Sequence, residues 1–97
     1  MYLGTRHESI GHHEEFIFVM VSEQEDRYPE LCSIWENFYN GPPISAQQAN
    51  TLVHELIDLL EENGGVTNKP LATIVLRLVL FFSAAYRSGQ AIRCASD

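Results

Sequence analysis

The sequence predicts an all-α fold: a small bundle of about four helices around a central apolar C-terminal helix, with room for a short strand at either end. Three observations carry this. Apolar residues recur at helical spacing in the middle of the chain, stop and start signals bracket those stretches, and one long apolar run follows them. Ninety-seven residues, 45 % of them apolar, suit one core and are too few for two. The chain is therefore read as a single helical domain over residues 1–97, with 1–12 a flexible N-terminal arm and 90–97 a C-terminal tail.

The first twelve residues are polar and hold two glycines, which gives the arm. Glu14 and Glu15 then precede the run Phe16-Ile-Phe-Val-Met-Val21. Periodicity does not separate a buried strand from a buried helix in so short a run. Helix is preferred, because two carboxylates at its start suit the macrodipole and no hairpin partner follows. Next, Pro29 stands near a helix start, where its missing N–H costs nothing. Tyr28, Leu31, Cys32, Trp35, Phe38 and Tyr39 form one stripe, and Asn40-Gly41-Pro42-Pro43 ends it.

The third element has the strongest start signal. Ser45-Ala-Gln-Gln48 matches a capping box, in which the hydroxyl bonds forward and the glutamine reaches back. Ala49, Leu52, Val53, Leu56, Leu59 and Leu60 fall on one face, and Asn63-Gly64-Gly65 closes the helix. The fourth runs from about Lys69 to Ser88, with Gly89 after it. From Leu71 to Tyr86 only Thr73, Arg77 and Ser83 interrupt the apolar residues. A bilayer span needs about 20 apolar residues, so an arginine inside a shorter run argues for a core helix instead. The tail alternates weakly and has the pattern of one short strand.

Charge bounds the function. The formal charge is −7. Met1 to Val66 holds twelve acids and two bases, whereas Thr67 to Asp97 holds one acid and four bases, Lys69, Arg77, Arg87 and Arg93. A surface this acidic repels phosphates and anionic headgroups and attracts basic proteins. The expected partner is thus a basic protein, with no direct nucleic acid and no membrane. Cys32 and Cys94 are read as small hydrophobes in a reduced chain, a disulfide not being demanded by a core of this size. The start MYLGTRHES lacks an apolar leader region, so the expected location is cytoplasmic.

Glu14 and Glu15, and Glu23, Glu25 and Asp26, are accounted for as carboxylates near helix starts, each favoured by roughly 0.3–1 kcal/mol. Glu55, Asp58, Glu61 and Glu62 are not. The helical wheel puts them away from the leucine face, beside His54, Gln47 and Thr51. Their spacings of three and four bring like charges together, and Glu61 and Glu62 sit where the dipole prefers cations. A partner-binding face is therefore assigned to Glu55, Asp58, Glu61, Glu62 and His54. Tyr39 joins it, as a tyrosine beside a turn that can present its hydroxyl at an interface.

No catalytic set emerges, and the protein is not expected to be an enzyme. His54-Glu55-Leu-Ile-Asp58 approaches the zinc-protease signature but has aspartate where the second imidazole belongs, and no third ligand is evident. His7, His12 and His13 with Glu14 are better explained by a polar arm. No phosphate loop, CxxC pair or nucleophile elbow occurs. Neither a metal nor another cofactor is expected.

The acidic helix Ile44 to Leu60 and the closing stretch Phe81 to Asp97 give the chain a resemblance to bacterial immunity proteins. These neutralise toxins of contact-dependent inhibition, colicin and related systems. The likeness contains no diagnostic motif, so no residue is carried over by position. It implies blockade of a basic toxin nuclease, with the acidic face standing in for phosphate. The competing expectations are an acidic regulatory module that takes a basic helix or tail, and a small metal-dependent enzyme.

Overall fold

The structure, a computed structural model, describes residues 1–37 and 41–94, apart from the side chains of residues 12 and 35–37. Tyr39 lies outside the described residues. The described residues form four α-helices: α1 (Phe16–Ser22), α2 (Pro29–Asn37), α3 (Ala46–Glu62) and α4 (Lys69–Ser88). The fold is mostly helical but not strictly all-α, because β1 (Tyr2–Leu3) and β2 (Arg6–His7) pair as an antiparallel hairpin. Gly4, at φ 60°, occupies its turn.

The bounds of α3 and α4 follow from their caps. Ser45 accepts from the Gln48 N–H at 3.1 Å while its own N–H donates to the Gln48 side chain at 2.9 Å. Gly89, at φ 69°, ends α4 and donates back into the last turn. Between the two helices Gly64 and Gly65 both have positive φ, which lets the chain reverse within a few residues. Leu52, Leu56 and Leu59 of α3 then meet Leu71, Ile74, Leu78, Phe81 and Phe82 of α4 in the core. Each such side chain contributes roughly 1.5–3 kcal/mol when fully buried. Residues 16–22 are helical, and Ile17, Phe18 and Val21 face inwards.

Two expectations are corrected. Residues 1–12 are not a flexible arm. Met1, Leu3 and Ile10 are buried in the common core, and Tyr2 bridges Arg93 through two backbone bonds of 2.9 Å. Ile92 bridges Ile44 in the same way, at 2.7 and 2.8 Å. The 90–97 segment thus supplies short extended pairing at residues 92 and 93, between the N-terminal hairpin and the residues before α3.

The second correction concerns α4. It is long and apolar enough to cross a membrane by length and composition, yet it is not buried all round. Leu76 is 54 % exposed and Leu80 65 %. The helix that α4 chiefly packs against is α3, and Leu76 and Leu80 lie on the side turned away from the core.

The arginine inside α4 explains the first acid. Arg77 forks onto Glu14, with Nη1 2.8 Å from Oε2 and Nη2 2.7 Å from Oε1, and Nη2 also donates to the Ser9 carbonyl at 2.8 Å. Its Nε lies 2.8 Å from Glu8 Oε1. Glu14 is therefore a buried partner of α4, where a carboxylate favouring a helix start was expected. The Arg77 guanidinium holds its carboxyl below the usual value, against the opposing effect of burial.

Candidate functional site

The face assigned from the sequence separates into residues that fold the protein and residues that do not. Glu55 belongs to the first group. It is 6 % exposed, and its two oxygens accept the backbone N–H groups of Glu30 and Leu31, each at 3.1 Å. These are orphan donors of the first turn of α2, which Pro29 opens after Tyr28, a residue with no short oxygen to cap it. A carboxylate from α3 supplies the missing cap from across the core. The wheel carried the signal: Glu55 stands three residues after Leu52 and four before Leu59, at the flank of the apolar face. Burial pushes its carboxyl up, and the two N–H groups pull the other way without cancelling that.

Glu62 is also in use. Tyr28, itself buried, donates its hydroxyl to Glu62 Oε2 at 2.6 Å, and Arg27 pairs with Oε1. Both contacts hold the Glu62 carboxyl below its usual value, the Tyr28 hydrogen bond most of all. Burial and then the hydrogen bond to Glu62 push the Tyr28 phenol up to about 12. The premise that folding gains nothing from the acids of α3 fails for these two residues. Neither partner was legible locally, since they come from residues 34 and 35 positions away.

His54, Asp58 and Glu61 remain. All three are exposed on the outward side of α3, and among the described residues neither carboxylate makes an ion pair. The contacts of Glu62 add something the sequence did not offer. They seat Arg27 and Tyr28, and with them the turn that precedes α2, against the C-terminal end of α3. Glu23, Glu25 and Asp26 are exposed in that turn, which is closed by backbone bonds from Gln24, Arg27 and Tyr28. Asp58, Glu61 and Glu62 thus stand near a turn that carries three further acids, with Arg27 in that turn and Lys69 just beyond the loop that follows α3. Like charges gathered in this way form a negative field that solvent weakens but does not remove.

The near-zinc motif is taken apart by the same geometry. Glu55 points into the core, while His54 and Asp58 face solvent. Among the described residues no group of three or more His, Cys, Asp or Glu side chains is placed to hold a metal ion.

The outward face of α4 has no counterpart among the sites expected from the sequence. Besides Leu76 and Leu80 it carries Thr73 and the exposed cations Lys69 and Arg87, and no residue of α4 is acidic. On α3, Ile57 is 48 % exposed beside Asp58 and Glu61. No family model, curated protein or solved structure matches the chain.

Proposed function

We propose that the protein is a binding module for a basic protein surface, acting through Asp58, Glu61 and Glu62 of α3 together with Glu23, Glu25 and Asp26. The observation that supports this most directly is the state of Asp58 and Glu61. They stand one turn apart, exposed and without an ion pair among the described residues. Keeping them there costs tenths of a kcal/mol in like-charge repulsion. Ile57 adds an apolar contact within the charged rim, the composition usual where a partner is held as well as attracted. Neither His54 nor Glu55 is given a chemical role.

Within this reading the partner class is a toxin nuclease domain, whose phosphate-binding cleft has the complementary charge, and the protein acts as its immunity partner by occupying that cleft. Where the neighbouring reading frame encodes a nuclease-like protein, changing Asp58→Lys and Glu61→Lys together should weaken binding to it about tenfold or more, with loss of its inhibition. The melting temperature should move by no more than a few degrees, because both side chains are exposed. Affinity should also fall as salt screens the field beyond roughly 8–10 Å. Unchanged affinity in the double variant, measured by calorimetry, sinks the proposal. Glu55 is excluded from the test set, since its loss would disturb folding.

A further inference from the structure

Two outward helix faces of this chain match one another. The α4 face presents Leu76 and Leu80 one turn apart, with Lys69 and Arg87 each seven residues beyond them, about 10 Å along the axis. Arg77 is already engaged by Glu8 and Glu14. Among the described residues no carboxylate pairs with Lys69 or Arg87. The α3 face presents Ile57 beside Asp58 and Glu61, and α3 contains no lysine or arginine. One strip is apolar and basic, the other apolar and acidic.

We propose that the outward face of α4 docks on the outward face of α3 in a second copy of this chain, giving head-to-tail self-association. Charge selects this pairing over a two-fold one. An antiparallel α4-to-α4 contact centred on Leu76 and Leu80 brings Lys69 against Arg87 of the other copy. An α3-to-α3 contact brings Asp58 and Glu61 against their own copies. Only the mixed pairing sets cations against anions while covering the leucines. Such an interface is heterologous, so each copy keeps one free α3 face and one free α4 face. One helix face per partner buries less than the roughly 800 Å² a side of a standard interface, so the association is weak and concentration-dependent. A basic partner on Asp58 and Glu61 would compete with it.

Sedimentation of the purified chain tests this without any partner. Between about 20 μM and about 1 mM, a range suited to an interface this small, the weight-average mass should rise by about half or more at low salt and less at high salt. Leu80→Gln with Arg87→Gln blocks the α4 face, and Asp58→Lys with Glu61→Lys blocks the α3 face. Each variant alone should stay monomeric with an unchanged circular-dichroism spectrum. An equimolar mixture should form a species of twice the monomer mass and nothing larger, since each variant retains the face the other lacks. A wild-type chain that stays monomeric throughout overturns the inference. So does an α3-blocked variant that still dimerises by itself, or a mixture that fails to pair. The α4-blocked variant keeps its acidic patch, so its affinity for a basic partner reports on the binding-module reading separately.

Discussion

Replacing Arg77 with leucine should destabilise the protein by about 2 kcal/mol, lowering the melting temperature by roughly 8–16 °C. Breaking a buried ion pair from one side typically costs about 3–5 kcal/mol, because the charge left behind has no partner. The figure is reduced here because the Arg77 side chain is 37 % exposed and water screens part of the interaction. Glu14 is the group left behind, and its side chain is only 10 % exposed. The deficit has a pH signature. The Glu14 carboxyl lies below its ordinary value of 4.5. The stability it contributes is therefore present above that value and lost as pH falls through its folded value. The gap between Arg77→Leu and the parent should thus be widest at neutral pH and narrow in acid. Urea unfolding at both pH values measures it. Adding Glu14→Gln to the leucine variant should recover part of the loss. A change within about 0.5 kcal/mol, the range of ordinary surface substitutions, would show that the clasp on α4 does not hold the N-terminal segment.

Glu55→Ala should cost about 2 kcal/mol, the upper range for a helix cap, because two N–H groups of α2 lose their acceptor inside the fold. Glu55→Gln should fall between parent and alanine, since its one acceptor oxygen serves one of the two donors. Here the pH trend has the opposite sign. Burial raises the Glu55 carboxyl above its ordinary value. The part of its contribution that depends on titration is therefore complete below that ordinary value and is lost as pH rises through the raised one, while the two N–H bonds remain. The alanine deficit should be larger in mild acid than at pH 7, so the two variants diverge in opposite directions as pH falls. Parallel trends would show that the two N–H bonds outweigh burial at Glu55. Full stability in Glu55→Ala would return this residue to the solvent-facing set.

Local physics explains why some of this was legible in the sequence and some was not. The capping box of Ser45 and Gln48, the stop at Gly89 and the leucine stripe of α3 are interactions within a turn or two, and each appears where its residues stand. Phe16 to Val21 was ambiguous because a buried helix and a buried strand share the same composition. The errors share a different origin. Met1, Leu3 and Ile10 are isolated apolar residues with no period, and only partners far along the chain bury them. The fork from Arg77 to Glu14 spans 63 residues and the cap from Glu55 to Leu31 spans 24. A carboxylate with a distant partner is indistinguishable, in the sequence, from one facing water. The apolar run of α4 misled in the opposite sense. It gives the hydrophobicity of the helix, whereas exposure depends on which of its sides the rest of the chain packs against. The candidate site shrank and moved accordingly: Glu55 left it, Glu62 became its hinge to the turn before α2, and that turn brought three more acids to Asp58 and Glu61.

The bridges at Tyr2–Arg93 and Ile44–Ile92 bear on the order in which the protein assembles. The α3–α4 hairpin closes over a turn of a few residues, so its contacts form at little entropic cost. The first bridge closes a loop of nearly the whole chain and the second about half of it, for only two backbone bonds each. Contacts of that separation reward the chain only after most of it is already in place. The clasp is accordingly the last part to close during folding and the first to open in the folded state. Its amides should exchange with solvent while those of the α3–α4 core remain protected.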